Sequence, residues 1–494
     1  MRLRHLAAAA LCVLLLAGCT QRAAVPTPAP SPVPAATPTP TPTPPTDEAV
    51  FAELMAEVNA KNAALSAPDG ALLEQYRYDY DGCMPLVDWE EWKRGAPEEP
   101  PEVLPVQDAR DEVDFLFRLL RTDYGLYTWF GGDGAFGPAQ DRVLAALEGR
   151  AEIPTEEYEA LLADSLDFIC DNHFILGSHR LGRMQILYSA ERLEFTRQDG
   201  AFYQGERRLL SVDGGDPAHA VKRAVGDDGE LTWKLYLTAP AAEMLTVRLE
   251  YEDGAEDVEL LPAQDLEYSL GGGRSIFRYG IQQGIPVIQM NAMLFPPGKT
   301  GPDGLKQDET DRTDFLAAAV KIQDYPAAMV NLTQNGGGNG DLPGEWFEAL
   351  TGEAVAPHYC TLRSDYQQTP GSEAFYRTEA PEAGFVRREA GPLLLVLTGR
   401  GTCSAAEVFT DLTRGVENTL IIGSNTGGVL TGNMAYTYRL PRSGLSMSWG
   451  NALYLWPEGY FAEGVGLEPD VYLTGPGSGG RLAQFLERYV IPQE

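Results

Sequence analysis

The stretch "LLLVLTGRGTCSAAEVFTDL", from Leu393 to Leu412, joins three kinds of sequence that together indicate a fold. It begins with a near-continuous apolar run, which is typical of a strand buried on both faces of a sheet. A small, glycine-rich segment follows, and then a helical pattern that places Val408 and Phe409 on one face. We therefore predict a buried strand, a tight turn and a helix, with Ser404 where the helix begins.

The same alternation continues on both sides of this stretch. "IPVIQM", "PAAMVNLT" and "NTLIIGS" predict strands, and "DFLAAAVKIQDY" predicts a helix. Alternating strands and helices imply a largely parallel sheet covered by helices. Ligands gather beyond the carboxyl ends of such strands. The fold class is therefore α/β, and we assign this domain to residues 266–494.

Two other sections precede this domain. Residues 47–180 are mainly helical, because "DEVDFLFRLLRTDYGLY" and "TEEYEALLADSLDFICDNH" repeat apolar residues at steps of three and four. Residues 181–265 contain short alternating runs such as "LTWKLYLTA", separated by Gly and Asp turns, and they predict a β-rich module. The segment "RRLLSVDGGDPAHAV" is similar to a PDZ-type domain, although its carboxylate-binding loop is not recognisable.

The first residues predict a secreted, lipid-anchored protein. Residues 1–18 carry Arg2 and Arg4 before an apolar run that is too short to span a bilayer, as in a signal peptide. "LAGC" resembles a bacterial lipobox with Cys19 as the lipidated residue; an ordinary secretory signal that ends in Cys is the alternative. Residues 19–46 continue as a Pro/Thr tract, which predicts an extended spacer. We expect an extracytoplasmic location, anchored to the bacterial membrane by lipid.

Composition excludes some partners and leaves the disulfides open. The formal net charge of -33 argues against nucleic acid, because binding to phosphates needs a basic surface. Beyond Cys19, four cysteines remain that could form two disulfides or none: Cys83, Cys170, Cys360 and Cys403. Cys403 adjoins Ser404 and is interpreted as a small apolar side chain that points into the sheet.

Ser404 has two interpretations. "SAAE" fits a capping box, in which Ser404 bonds its own helix and Glu407 reaches back. A serine on a tight turn at a helix N-terminus is also well placed as a nucleophile, because backbone N–H groups and the helix dipole there stabilise an oxyanion. A serine hydroxyl is a poor nucleophile without a base, so the second interpretation needs a partner from elsewhere in the chain.

Four motifs occur in an order that resembles a known family. "VNLTQNGGGN", "GTCSAAEVF", "IIGSNTGG" and "GVGLEPDV" are similar to the ordered motifs of the C-terminal processing peptidases, the tail-specific and tricorn-type serine peptidases. The resemblance covers roughly Ile285 to Val471. It implies a crotonase/ClpP-like α/β catalytic domain that cleaves peptides, often beside a PDZ-type module. It implies no cofactor and a peptide or unfolded protein as substrate.

The chain departs from the family pattern in ways that affect the base. Asn331 and Thr333 stand where the family usually has Asp and Arg, and Ser424 replaces a Glu. Many members pair the serine with a lysine, but the aligned residue is Val429, and no lysine follows Lys321. A Ser-Lys dyad of that type is therefore excluded.

The tricorn-type branch uses Ser, His and Glu, and its resemblance implies the remaining site residues. "CDNHF" is similar to the motif that carries the histidine, which nominates His173 as the base; a structural histidine is the alternative, and His179 is the nearest rival. Glu463 corresponds to the glutamate that orients the imidazole, or it is a solvated loop acid. The resemblance assigns the oxyanion hole to the N–H of Ala405 and to that of one glycine of Gly336–Gly338, with Gly337 as the first choice, whereas "NGGGNG" could also be only a flexible turn.

Other classes of site find little support. No His-Glu-x-x-His is present, and Cys170 with His173 lacks further ligands, so no metal site is predicted. Nucleotide-binding loops and a Gly-x-Ser-x-Gly elbow are missing as well. We predict a surface-anchored serine endopeptidase with Ser404, His173 and Glu463 as catalytic residues. The alternative is a catalytically inactive, peptide-binding lipoprotein of the same fold; a solute-binding lipoprotein should show two similar α/β lobes.

Overall fold

Helices dominate the front of the chain, strands its middle, and the two alternate in its C-terminal half. The computed structural model describes residues 46–79, 96–97, 99–271, 275–295, 307–364, 376–381 and 384–491. The helices in these ranges are α1 (Asp47–Ala63), α2 (Val106–Asp123), α3 (Asp133–Ala146), α4 (Thr155–Ser165), α5 (Gln307–Lys321), α6 (Asp341–Thr351), α7 (Ala405–Arg414) and α8 (Ser478–Tyr489). The strands are β1 (Val103–Pro105), β2 (Glu152–Pro154), β3 (Ile175–Leu176), β4 (His179–Arg180), β5 (Ile186–Gln198), β6 (Ala201–Gln204), β7 (Arg207–Val212), β8 (Val221–Val225), β9 (Leu231–Ala239), β10 (Leu245–Tyr251), β11 (Gly254–Pro262), β12 (Phe277–Gln282), β13 (Ile285–Met290), β14 (Ala327–Asn331), β15 (Cys360–Ser364), β16 (Tyr376–Glu379), β17 (Leu393–Thr398), β18 (Thr419–Gly423), β19 (Gly432–Arg439), β20 (Ser446–Leu455) and β21 (Val471–Tyr472).

A parallel sheet forms the centre of the C-terminal half. Its strands lie in the order β13-β14-β17-β18-β21-β8, and each neighbouring pair is parallel. The apolar run that opens the quoted stretch is β17, and it lies between β14 and β18 with its side chains buried. Helices α5, α6 and α7 cover one face through Phe315, Trp346 and Phe409, while α1 and α8 cover the other through Leu54 and Phe485. The predicted α/β class is therefore observed as a sheet between helical layers.

A second sheet brings the helical front section to the C-terminal half. Strands β16, β15, β20, β3 and β4 lie in that order, and β19 pairs with β20. The side chains of α2, α3 and α4 share one apolar cluster with those of β15, β19 and β20. Leu176 of β3 pairs with Met447 of β20, so the residues that directly precede β3 lie beside the C-terminal half. His173 is one of these residues.

The β-rich section contains a closed ring of strands. Antiparallel pairs join β5 to β6, β6 to β7, β7 to β10, β10 to β11 and β11 back to β5. Strands β8 and β9, which lie between β7 and β10 in the chain, connect this ring to the parallel sheet. β9 pairs with β5 of the ring and with β8, and β8 pairs with β21 of the parallel sheet. The sections predicted as residues 181–265 and 266–494 thus share one continuous sheet, and the boundaries between them remain predictions.

The helix predicted across "TEEYEALLADSLDFICDNH" is shorter than its periodicity suggests. It begins at Thr155 and ends at Ser165, since Leu166 already leaves the helical backbone. Cys170 to His173 consequently lie in a turn, where backbone N–H and C=O groups are free to bond side chains.

Some predictions fall outside the described residues. The signal peptide, Cys19, nearly all of the Pro/Thr spacer and Cys83 belong to this group. Cys170, Cys360 and Cys403 carry free thiols. In the part of the chain that the structure describes, no helix has both the length and the apolar character to cross a membrane. In the same part, His, Cys, Asp and Glu form no group suited to a metal ion.

Candidate active site

Ser404 lies on a strained turn between β17 and α7. Its φ of 54° is in the left-handed region, which side chains other than glycine rarely adopt. Such a backbone costs on the order of 1–3 kcal/mol and persists only where surrounding contacts hold it. One of these contacts comes from Glu407, whose carboxylate accepts a hydrogen bond from the Ser404 N–H at 2.9 Å. The turn is thus built to present the serine side chain.

The hydroxyl of Ser404 contacts His173. The distance from Oγ to Nε2 is 3.1 Å, across 231 residues of sequence. Ser404 and Glu407 also form the predicted capping box, in which the Ser404 side chain faces the backbone N–H of Glu407 and the Glu407 carboxylate accepts from the Ser404 N–H. The structure therefore brings together the serine and the histidine that the sequence analysis nominated.

Side chains form hydrogen bonds to the backbone N–H and C=O groups of Asn172 and His173. Asp171 Oδ1 accepts from the His173 N–H at 2.9 Å, and the Ser448 hydroxyl donates to the His173 carbonyl at 3.0 Å. The Asn172 carbonyl accepts from Arg180 at 2.6 Å. Because these bonds fix the backbone at Asn172 and His173, the imidazole ring has little freedom to move away from Ser404.

Burial keeps the imidazole neutral. Burial, with a smaller contribution from Arg180, lowers the pKa of His173 to about 4, although the Gly432 carbonyl acts to raise it. Nδ1 is buried, and among the described residues no group forms a hydrogen bond of normal geometry with it. A neutral imidazole at neutral pH is the form that accepts a proton from a serine hydroxyl.

Glu463 lies beside His173 but bonds to backbone rather than to the ring. Oε1 accepts from the Asn172 N–H at 2.8 Å, and Oε2 accepts from the Thr431 N–H at 2.9 Å and the Leu430 N–H at 3.3 Å. The expected direct contact with the imidazole is therefore not seen. The physical reason is that unpaired backbone donors of two chain segments point at the carboxylate and occupy both oxygens. Burial, followed by repulsion from Asp171, raises the pKa of Glu463 to about 7.

The other histidines that the structure describes have partners or positions elsewhere and form no hydrogen bond with Ser404. His179, the nearest rival, is exposed, and its Nε2 is 3.7 Å from a carboxylate oxygen of Glu159. His358 is buried and bonds Asp411 through Nδ1 at 3.0 Å. His219 ends a short 3₁₀ turn of the β-rich section. Among the histidines of the described residues, only His173 makes a hydrogen bond to Ser404.

The glycine loop packs against the serine turn, but its amides differ from the prediction. The Gly337 N–H donates to Oδ1 of Asn335 at 3.0 Å, so the prediction that it is available to an oxyanion is wrong for this structure. An Asn side chain that bonds the N–H two residues on is a common turn, and it occupies the donor. Gly337 is still required by packing, since a Cβ there would lie 2.7 Å from the Cβ of Ser404. The amides of Gly338 and Ala405 have no hydrogen-bond acceptor among the described residues, and both belong to segments that border Ser404.

Glu407 and Arg400 join the loops around the serine, a role that no sequence pattern predicts for either residue. Besides Ser404, the Glu407 carboxylate accepts from the hydroxyl of Thr426 at 2.6 Å and from the N–H groups of Gly428 at 2.8 Å and Val429 at 2.9 Å. Burial raises its pKa to about 7. The Arg400 guanidinium donates to five carbonyls, those of Gln185, Thr426, Gly427, Gly464 and Val465.

Residues that depart from the family pattern have internal partners. Asn331 Oδ1 accepts from the Thr333 N–H at 3.0 Å and from its hydroxyl at 2.8 Å. Ser424 donates to Asp265 at 2.5 Å. Val429, which aligns with the lysine of the family that the motifs resemble, donates its N–H to Glu407 instead. Burial raises the pKa of Cys403 to about 12, which keeps this thiol protonated.

An open cavity of about 1140 Å³ borders the serine. Ser404 and His173 line it together with Tyr359, Tyr454 and Arg363. Aromatic and polar groups thus converge on the reactive pair, in a space that is large enough for several residues of a peptide.

The family of the chain follows from a comparison with known proteins. Residues 285–473 match the model of peptidase family S41. Among curated protein sequences none is significantly similar to the chain. Among solved structures, mature CPAF is 14% identical, with 77% of this chain and 95% of that chain covered and a TM-score of 0.42. The photosystem II D1 C-terminal processing protease is 15% identical, with coverages of 74% and 92% and a TM-score of 0.36.

A third solved structure is a lipoprotein from Streptococcus agalactiae, which is 12% identical, with coverages of 80% and 99% and a TM-score of 0.35. At these identities and TM-scores the structural similarities carry no argument about function. The family match itself includes both the glycine loop and the serine turn. Residues 285–473 of this chain therefore form a segment of the peptidase family S41 type, the type of the C-terminal processing peptidases, and the chain is a serine-type peptidase.

Proposed function

We propose that the chain is a serine endopeptidase that hydrolyses peptide bonds of unfolded or extended protein segments, with Ser404 as nucleophile and His173 as general base. The observation that carries this proposal is the distance of 3.1 Å between Ser404 Oγ and His173 Nε2. The strained turn at Ser404 and the low pKa of the imidazole, about 4, support it as well. A nucleophile and a neutral base within hydrogen-bond reach are the minimum for acyl transfer.

The reaction proceeds in two halves. Ser404 Oγ attacks the peptide carbonyl while His173 Nε2 takes the hydroxyl proton, and the same proton passes to the leaving amine when the C–N bond breaks. A water molecule, activated by His173, then hydrolyses the acyl-enzyme and restores the serine. The amides of Ala405 and Gly338 are the donors that we assign to the tetrahedral oxygen, since neither has another acceptor among the described residues.

Glu463 takes part through the backbone. Its carboxylate bonds the N–H of Asn172 on one side and that of Thr431 on the other, which ties the His173 turn to the chain segment before β19. We assign it the role of holding the imidazole in place, as predicted, but by this indirect route. The Ser-His-Glu mechanism is then one in which the acid supports the base without touching it.

Cleavage of an unfolded protein tests the proposal. The chain from Asp47 onward is incubated with dye-labelled casein, alone and as Ser404→Ala, His173→Gln and His179→Gln. We expect Ser404→Ala and His173→Gln to lose at least ~10³-fold in kcat, as in other Ser-His-acid enzymes. His179→Gln is the control and should retain activity, because His179 is exposed and bonds elsewhere. An inactive wild type that still binds the peptide would favour the peptide-binding lipoprotein instead.

We also propose that the protein is extracytoplasmic and lipid-anchored through Cys19, with residues 19–46 as a spacer. The order of basic residues, apolar run and "LAGC" supports this. Labelling of cells with radioactive palmitate should mark the wild type and spare Cys19→Ser. For the fold we retain the crotonase/ClpP-like assignment of residues 266–494 and the PDZ-like assignment of residues 181–265 as proposals.

A further inference from the structure

Asp171, two residues before the base, is fully buried and is bonded through both carboxylate oxygens. Oδ1 accepts from the His173 N–H at 2.9 Å, and Oδ2 accepts from the Tyr124 hydroxyl at 3.0 Å. An unpaired buried carboxylate is costly, so its retention at this place calls for a reason.

The carboxylate also lies against the strand that borders the site. A Cβ on Gly432 would be 2.8 Å from Asp171 Oδ2, so the two groups are packed in direct contact. Gly432 directly follows Thr431, whose N–H bonds Glu463. Two acids therefore hold one turn: Asp171 from within it, and Glu463 from the neighbouring segment through Asn172.

We propose that Asp171 is a positioning residue for the hydrolysis: it fixes the backbone at His173, and its charge acts on Glu463, the second acid that holds the same turn. This inference rests on the proposed function, because it assigns Asp171 to the same reaction. Asp171 does not contact substrate or Ser404; it acts through His173 and Glu463.

Besides each other, the two acids interact electrostatically with Tyr124, with Arg180 beside Asp171, and with Cys403 beside Glu463. Burial raises the pKa of Asp171 to about 6, while the Tyr124 hydroxyl and Arg180 act to lower it. Burial and then Asp171 raise the pKa of Glu463 to about 7. The oxygens of Glu463 face backbone N–H donors, so protonation of this acid disrupts the contacts that hold the turn. Removal of the Asp171 charge lowers the pKa of Glu463 and keeps those contacts down to lower pH.

Asp171→Asn tests the proposal, because asparagine keeps an acceptor for the His173 N–H but removes the charge. We expect kcat to fall by at least ~10-fold with little change in KM, since the base is less well held. We also expect the acidic limb of the pH profile of kcat/KM to move to lower pH by about one unit, as expected when a like charge is removed. The rate of labelling by a small fluorophosphonate should follow the same shift.

The matched control is Glu112→Gln. Glu112 is equally buried and accepts from the N–H groups of Arg442 at 2.6 Å and Ser443 at 2.9 Å, outside the His173 turn. It should alter stability without moving the acidic limb. Should Asp171→Asn fail to fold, Tyr124→Phe replaces it: loss of the hydroxyl raises the pKa of Asp171, which weakens its charge and moves the limb in the same direction by a smaller amount.

The outcomes separate this inference from the proposed function. A wild type that neither cleaves protein nor reacts with the fluorophosphonate would overturn the proposed function and this inference with it. A wild type that is active, with an acidic limb that stays in place in Asp171→Asn or Tyr124→Phe, would overturn this inference alone. A uniform loss of rate at every pH would show that Asp171 has only a structural role.

Discussion

Replacement of Gly337 by alanine should damage both the fold and the site. Gly337 has a φ of 99°, and a Cβ would lie 2.7 Å from Ser404 Cβ, 2.8 Å from the Cys403 carbonyl oxygen and 3.1 Å from the Ala405 nitrogen. The left-handed backbone costs a non-glycine residue roughly 1–2 kcal/mol. Overpacking costs about 1–3 kcal/mol. We therefore expect a loss of about 2–5 kcal/mol in the free energy of unfolding.

The loss of activity should be larger than the loss of stability alone explains. All three contacts belong to the turn that carries Ser404, so relief of the clash must move the serine or an oxyanion donor. A misplacement near 1 Å costs on the order of 10²-fold in rate. We expect a decrease of that size in the rate of fluorophosphonate labelling, measured at a temperature where the variant is folded.

Gly336→Ala is the matched control from the same loop. A Cβ on Gly336 meets no atom within 4 Å, and its φ is not in the left-handed region. It should change stability by less than about 0.5 kcal/mol. Urea unfolding of both variants measures the difference. Equal stability and equal labelling rates for Gly337→Ala and Gly336→Ala would show that a Cβ at Gly337 does not disturb the serine turn.

Three further predictions concern the loops and the base. Glu407→Gln should lower the free energy of unfolding, measured with urea, by about 1–3 kcal/mol. The reason is that an amide –NH₂ group would face backbone N–H donors at the place where a carboxylate oxygen accepts from them. An unchanged unfolding midpoint would contradict this. Arg400→Lys should lower kcat while the charge is kept, since one ammonium cannot bond five separate carbonyls; wild-type kinetics would count against it. His173 contributes stability above its unfolded pKa of 6.5, and this is lost as the pH falls toward its folded pKa of about 4, by roughly 3 kcal/mol. The difference in unfolding free energy between wild type and His173→Gln should therefore shrink from pH 7 to pH 4, whereas a constant difference would contradict a neutral buried imidazole.

Local sequence was sufficient for the elements that carry the serine. The apolar run of β17 and the helical pattern of α7 are set by neighbouring residues, so both appear where they were predicted. The hairpin of β10 and β11 also follows from its alternating pattern, and Glu252 and Asp253 form the two-residue turn between the paired residues Tyr251 and Gly254. In contrast, the helix before His173 ends at Ser165. The sequence predicts a longer helix, since the spacing of apolar residues continues beyond the point where the backbone leaves the helix.

The contacts of the site were less accessible from sequence. Only the family resemblance linked Ser404 to His173, because no local pattern spans 231 residues. The bond of Glu463 to the Asn172 backbone depends on where N–H groups point, which a sequence does not reveal. The loss of the Gly337 amide could have been foreseen, since Asn335 stands two residues earlier, in the arrangement that favours this turn.

Activation of Ser404 by His173 is tested by the mass of the intact chain after reaction with a fluorophosphonate, for wild type, Ser404→Ala and His173→Gln at pH 7. We expect one adduct per wild-type chain, on the peptide that contains Ser404, none on Ser404→Ala, and a strongly slowed reaction for His173→Gln. An adduct of equal yield on Ser404→Ala, or an undiminished rate in His173→Gln, would contradict the claim that this histidine activates this serine.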